Sequence, residues 1–291
     1  MTTTSLQLGS AGNLAQRAAA RRERGLAALS LPALVLLGVL FAYPVLRLMA
    51  LSIAGGSLHW YAKALGEGLY LEVYGITFRI AAIVTAVAFL LSYPLAYFLA
   101  TTTRGWRTLG FVFVLLPLWT SILVRTYAWM VLLGRNGVLN KILLDLGLIR
   151  APLALLYNEL GVIIGMVHVL MPYMVLPIYS AMMRLDPSLV QAARGLGAPG
   201  WRIFLRIYLP LTAQGIFAGG ILVFVLSLGF FITPALLGGG RVMMIAVLIE
   251  QQVREVLDWS FAGALSTVLL VATIAIYGIA QRLARGREER A

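Results

Sequence analysis

The sequence predicts an all-α membrane protein with six transmembrane helices, and three observations carry that reading. The 291-residue chain is 61% hydrophobic with a mean hydropathy of +0.92, which is more apolar surface than a single water-soluble core can bury. Its apolar residues gather into runs of the roughly 20 residues a spanning helix needs. Its 23 Lys and Arg, against 11 Asp and Glu, sit between those runs and not on one soluble face, so the formal charge of +12 reflects orientation in a lipid bilayer and not nucleic-acid binding.

The elements follow in order. Residues 1–25 form a polar, Arg-bearing tail. The first span, 26–46, is at about 21 residues longer than a secretory h-region and reads as a retained anchor. Spans at 80–103, 161–183, 207–240 and 259–281 carry no charge, and a further one at 109–133 is interrupted only by Arg125. The transmembrane domain thus covers 26–283, and 284–291 is a second tail. The connection 135–159 places Leu139, Ile142, Leu143 and Leu146 at helical spacing, which predicts a short helix lying on the membrane. The run 242–249, after Gly238-Gly239-Gly240, is too short to cross and is expected to be re-entrant or superficial.

Six spans put both termini on one side. The segments on that side hold fourteen Lys and Arg, against six in the opposite connections, so the positive-inside rule makes both termini cytoplasmic. The segment 185–209 is then cytoplasmic as well. It reads as a rigid elbow: Asp186 is placed to accept hydrogen bonds from the next turn, Pro187 suits the first helical position, and Gly195 and Gly197 supply permissive backbone where the short helix stops. A second helix begins near Pro199. There Trp201, Phe204, Leu205 and Tyr208 share one apolar face, while Arg202 and Arg206 share another.

The inventory of reactive groups is small. His59 and His168 are the two histidines, there is no cysteine and no HExxH, and neither Lys63 nor Lys141 belongs to a phosphate-cradling loop. No catalytic or metal-binding constellation is expected, and the chain is not itself a P-loop ATPase. All eleven carboxylates fall in expected connections or tails, which argues against proton- or sodium-coupled transport. His168 reads as a hydrogen-bonded packing residue. Arg47 and Arg79 are expected to snorkel near the outer boundary, whereas Arg125 lies deeper, where it either fixes helix packing or lines a pathway. Gly161 with Gly165 and Gly215 with Gly219 have the spacing of closely approaching helices, and Pro94, Pro117, Pro172, Pro177 and Pro234 interrupt the apolar runs.

At the elbow, Gln191-Ala192-Ala193-Arg194-Gly195-Leu196-Gly197 followed by Ile207-Tyr208-Leu209-Pro210 resembles the conserved cytoplasmic loop of permease subunits of bacterial ABC importers. The stretches Pro117-Leu118-Trp119-Thr120-Ser121-Ile122-Leu123-Val124-Arg125-Thr126-Tyr127-Ala128-Trp129, Gly134-Arg135-Asn136-Gly137-Val138-Leu139-Asn140 and Gly229-Phe230-Phe231-Ile232-Thr233-Pro234-Ala235-Leu236-Leu237-Gly238-Gly239 narrow the likeness to the spermidine/putrescine (polyamine) type. The sequence departs from the family pattern at Gln191, where the family has glutamate, so a salt bridge from that position is not available to it. The resemblance implies a non-catalytic translocation subunit of the bacterial inner membrane. It implies ATPase coupling through Asp186 and Gln191 to Gly197, two separate ATPase subunits holding ATP and Mg with no cofactor in this chain, a second, related permease and an external solute-binding protein. For a polycation the candidate pathway aromatics are Trp119, Tyr127, Trp129, Phe230 and Phe231, alongside Arg125, and Glu250, Glu255 and Asp258 form either an attracting outer mouth or a solvated loop. The same machinery carrying another small solute, amino-acid-like or a phosphonate, and an ion-coupled carrier stand as alternatives.

Overall fold

In lipid every backbone N–H and C=O needs an internal partner, so apolar segments of this length form helices. The computed structural model describes residues 31–53 and 58–288; the tail over 1–25, the first residues of the expected anchor and the last three residues of the chain lie outside the described residues. Among the described residues the helical segments are, in order, α1 Leu31–Ser52, α2 His59–Gly66, α3 Gly68–Thr101, α4 Arg104–Trp119, α5 Ile122–Leu133, α6 Val138–Asp145, α7 Glu159–Met183, α8 Pro187–Gly195, α9 Gly200–Leu211, α10 Ala213–Leu228, α11 Ile232–Gly238, α12 Ile245–Gln251, continued by a π-turn over Gln252–Val256, and α13 Trp259–Glu288. Among the described residues four of these are long and apolar enough to cross a membrane, and counting each of two bent pairs as one span gives up to six.

The bundle is organised around α3, α7 and α10, which bury Ile80, Val84, Ala88, Met166, Leu170, Met174, Ile178 and Val223 between them. Small residues set the spacing. A Cβ on Gly215 would lie 2.6 Å from the Pro177 carbonyl and from Ala181 Cβ, and one on Gly219 would lie 3.0–3.3 Å from Met174, so α10 lies directly against α7 at these two positions. The second glycine pair also works within the chain: a Cβ on Gly165 would enter Leu237 and Thr233 of α11. Both pairs thus serve intrachain packing. α1 touches the bundle through its last turns, where the Leu48 carbonyl closes on Gly263 of α13, and its first half keeps Leu36, Leu40 and Phe41 exposed.

Several boundaries differ from those expected. α3 begins at Gly68, twelve residues before the expected start at Ile80, because its polar residues there face protein. Tyr74 Oη donates to the Leu265 carbonyl at 2.8 Å, Thr77 Oγ1 accepts from the Ile245 amide at 2.8 Å, and Arg79 pairs with Glu159 at 2.9 Å and does not simply snorkel. Glu72 therefore sits within a helix and not in a connection. The expected span 109–133 is two helices, α4 and α5, separated by the extended residues Thr120 and Ser121, and α4 makes an angle of 104° with the segment Ile122–Asp145 that α5 begins. Pro117 lacks the N–H that would donate to the Phe113 carbonyl, and at the helix end the Thr120 hydroxyl donates to the Pro117 carbonyl at 3.3 Å. The expected span 207–240 is divided three ways. α9 and α10 meet at 64° at Thr212, and α11 follows a break at Gly229, Phe230 and Phe231. The short helix expected in the connection 135–159 is present as α6, anchored by Asn140, whose buried amide bonds the Gly134 and Leu153 carbonyls and the Leu153 N–H.

Overpacking a site of this kind costs about 1–3 kcal/mol. Gly215→Leu is therefore expected to lower the thermal unfolding midpoint of the purified protein by several degrees. Gly75→Ala, whose Cβ meets nothing within 4 Å, is expected to leave it unchanged.

Candidate functional site

Two regions gather the residues singled out from the sequence. The first is the elbow. Asp186 adopts an extended backbone and its Oδ1 accepts from the Ser188 N–H at 2.9 Å, with Pro187 at the first helical position. Hydrogen bonding from Ser188, backbone first and hydroxyl second, holds the Asp186 carboxyl below the usual aspartate range. At the other end the Leu196, Gly197 and Ala198 amides bond the Ala192, Arg194 and Ala193 carbonyls, and Gly197 turns the chain at φ +76°. No atom lies near the position of its Cβ, so glycine is required there for its left-handed backbone and not for space. Across α8 no residue is buried: Gln191, Ala192, Arg194 and Gly195 are exposed, Ala193 is half-buried, and Leu196 is 88% exposed. α8 is a capped helix whose surface is open to a partner.

The second arm is held firmly. Phe204 of α9 packs edge-on against Tyr93 at 5.3 Å and Tyr97 at 5.7 Å, and Tyr208 packs on Tyr97 at 5.0 Å. Ile203 is buried beside them, and Tyr93 Oη is 3.0 Å from Thr212 Oγ1 at the bend. The single apolar face expected from Trp201, Phe204, Leu205 and Tyr208 is divided. Phe204 and Tyr208 face the bundle, while Trp201, 61% exposed, and Leu205, 51% exposed, face away, with the Arg202 guanidinium 5.3 Å from the Trp201 ring. A wide π-turn over Phe204–Tyr208 interrupts the regular helical register after Ile203.

The second region is the corner between α5, α7 and α11. Trp129 donates its indole N–H to His168 Nδ1 at 3.1 Å, ring against ring at 5.6 Å, so His168 has the packing role expected of it. Thr126 and Thr233 approach to 3.4 Å between α5 and α11. Arg125 lies one turn before Trp129 on the same side of α5. Its Nε reaches the Ser121 carbonyl at 3.5 Å, and its Nη1 is buried without an acceptor among the described residues. Phe230 and Phe231 are half-buried against the main core. The remaining candidates lie elsewhere: Tyr127 joins Val124 and Val131 on the exposed stripe of α5, and Trp119 is 80% exposed at the end of α4. None of these residues lines the apolar cleft of about 460 Å³ between α3, α10 and α13, bounded by Ala86, Phe89, Ile216, Phe224 and Ile276. Tyr173, Thr126 and Thr233 escaped the sequence reading because each is a single mildly polar residue in an apolar run.

The three carboxylates of the candidate mouth are unequal. Glu250 pairs with Arg254 one turn on at 3.0 Å, Asp258 accepts from the Phe261 N–H at 2.9 Å at the start of α13, and Glu255 is exposed.

Comparison with known proteins agrees with this geometry. Residues 92–288 match the family of binding-protein-dependent transport system inner membrane components. The chain is 38% identical to the spermidine/putrescine transport system permease protein PotB of Haemophilus influenzae over 224 residues, covering 76% of this chain and 78% of that protein. It is 38% identical to PotB of Escherichia coli K12 over 226 residues, covering 77% and 82%. Among solved structures, a bacterial ABC transporter involved in import of the acidic polysaccharide alginate matches with a TM-score of 0.69 at 18% identity, over 91% of this chain and 96% of that one. A bacterial alginate ABC transporter in complex with an alginate pentasaccharide-bound periplasmic protein matches with a TM-score of 0.76 at 19% identity, over 91% and 95%. At these identities the structures show a shared fold.

Two outcomes are expected here. Trp129→Phe leaves His168 Nδ1 without its donor and should destabilise the protein by about 1 kcal/mol. Adding His168→Leu should recover part of that loss in a double-mutant cycle read by thermal unfolding. For Asp186, the ionised carboxylate is the better acceptor, so its cap is complete above the unfolded pKa and is lost as pH falls through the lowered folded one. A carboxyl-carbon NMR titration should place the Asp186 midpoint below that of free aspartate, and Ser188→Ala, which removes the hydroxyl alone, should move it part of the way back.

Proposed function

The chain belongs to the family of binding-protein-dependent transport system inner membrane components, and from that premise we propose that it is the translocation subunit of an ATP-driven importer of spermidine/putrescine-like polyamines. The observation that carries the coupling role is the exposed, capped α8, joined to the bundle by the ring contacts of Phe204 and Tyr208 with Tyr93 and Tyr97. ATP and Mg belong to two separate ATPase subunits, and this chain, whose only lysines stand outside any phosphate-binding loop, holds no cofactor. Closure of the ATPases displaces α8. Because α9 is interlocked with the end of α3 and continues through Thr212 into α10, that displacement reaches the α3, α7 and α10 core as a rigid-body shift between outward- and inward-facing states.

The excess of Lys and Arg supports a cytoplasmic elbow and cytoplasmic termini, and the opposite end meets an external solute-binding protein. A second, related permease completes the pathway. The polyamine assignment rests on the likeness to PotB. The aromatic faces of Trp119, Tyr127, Phe230 and Phe231 are suited to a polycation. Among the described residues Glu72 of α3 is an exposed carboxylate within a span, and further anionic groups along the route come from the partner permease. At the coupling surface Gln191 offers an amide in place of a charge, and Leu196 is the exposed apolar residue best placed to enter an ATPase groove.

The test uses the assembled complex in liposomes with its binding protein. Gly197→Asp is expected to abolish spermidine-stimulated ATP hydrolysis while membrane insertion and co-purification of the second permease persist. Unchanged stimulation would refute the coupling role. Stimulation of the unaltered complex by another solute but not by spermidine or putrescine would refute the substrate.

A further inference from the structure

We propose that the outward face of α9, formed by Trp201, Arg202, Leu205 and Arg206, docks into the headgroup layer of the cytoplasmic leaflet, and that its partner there is anionic phospholipid. The inference rests on the cytoplasmic elbow proposed above and adds the surface against which that elbow moves.

The level of α9 is set by what holds its other face. Phe204 and Tyr208 pack on Tyr93 and Tyr97, and Tyr97 lies one turn before α3 ends at Thr101. The turn beyond is basic. Arg104 and Arg107 open α4, and the Arg107 guanidinium closes the end of α3 by donating to the Leu99 and Thr102 carbonyls at 3.0 and 3.1 Å. A long apolar helix that ends among arginines has reached the edge of the hydrocarbon. With α10 crossing the bilayer, the 64° bend at Thr212 inclines α9 toward the membrane plane.

The chemistry of the outward face fits that level. Trp201 and Leu205 are four residues apart, as are Arg202 and Arg206, so an apolar strip and a basic strip run side by side along the exposed half of α9, while Ile203 is buried on the other half. Among the described residues neither arginine has a carboxylate partner. Trp106, in the first turn of α4, is 62% exposed at the same end of the bundle and adds a second indole to the same layer. Indole and aliphatic groups settle at the boundary of acyl chains and headgroups, and guanidinium groups beside them meet lipid phosphate with paired donors.

Two other surroundings fit less well. Water leaves the Trp201 and Leu205 strip exposed together, and an ATPase subunit already has the open surface of α8. An anionic leaflet accepts apolar and cationic groups side by side and attracts the latter. That attraction holds α9 at the surface while α8 is displaced, so the anionic lipid content governs how much of the displacement reaches α10.

The chain contains no cysteine, so Leu205→Cys provides a single position for a small fluorophore in a complex whose other subunits are also cysteine-free. The vesicles contain phosphatidylglycerol and phosphatidylcholine brominated near the headgroup end of its acyl chains. Strong quenching is expected at position 205 and none at a label on Leu196→Cys of α8. Omitting phosphatidylglycerol should weaken the quenching, and Arg202→Gln combined with Arg206→Gln should weaken it equally in vesicles that contain it. Spermidine-stimulated ATP hydrolysis should be several-fold faster with phosphatidylglycerol than without, and that ratio should approach one in the double variant. A label at 205 that the brominated lipid does not quench, and that the ATPase subunits shield from a water-soluble quencher, would identify the ATPase as occupant and overturn the proposal. Quenching indifferent to phosphatidylglycerol and to both arginines would overturn it as well. If position 205 responds as expected but spermidine stimulates no hydrolysis in any vesicle, the substrate reading fails and the lipid contact stands.

Discussion

Three edge-to-face ring contacts join the exposed helix at one end of this protein to its membrane bundle: Phe204 with Tyr93, Phe204 with Tyr97, and Tyr208 with Tyr97. Each such pair contributes about 0.5–1.5 kcal/mol beyond simple burial. Their importance is directional, because perpendicular rings resist both sliding and rotation, so α9 and the end of α3 move as one body. The Tyr93 and Thr212 hydroxyls add a polar contact at the 64° bend into α10.

The same bundle shows how a membrane protein divides its polar groups. Thr77, Tyr74 and Asn140 are buried with their hydrogen bonds made, and each ties together segments distant in sequence. Trp129 and His168 do the same between α5 and α7. In hydrocarbon these contacts hold because the alternative is an unsatisfied group. Among the described residues of the spans, Arg125 departs from this rule, with Nη1 buried and without an acceptor.

Legibility in the sequence was uneven, for physical reasons. The elbow was readable because its signals are local: a capping Asp186, Pro187 at the first helical position, and Gly197 where only a left-handed backbone continues the chain. Helix α6 and the packing role of His168 were likewise evident from spacing and context. The breaks at Thr120–Ser121 and Thr212 were not, since hydropathy runs on through them, and a proline in an apolar run bends one helix and ends another according to what packs around it. The early start of α3 was hidden because Glu72 and Arg79 look like the edge of a membrane until Tyr74, Thr77 and Glu159 show that the helix continues against protein.

By itself the sequence determined that the chain lives in a bilayer, how many apolar crossings it has material for, and that a rigid capped knob interrupts them, because hydropathy, length and capping are properties of neighbouring residues. Only the tertiary structure decided which side chains meet. It split the apolar face of α9, separated Tyr127 from Arg125 and Trp129 on opposite sides of α5, and set Gly215 and Gly219 into the seam of α10 with α7 and Gly165 into that of α7 with α11. Those outcomes depend on helices packing at van der Waals distance across gaps of many residues, and no local pattern encodes that geometry.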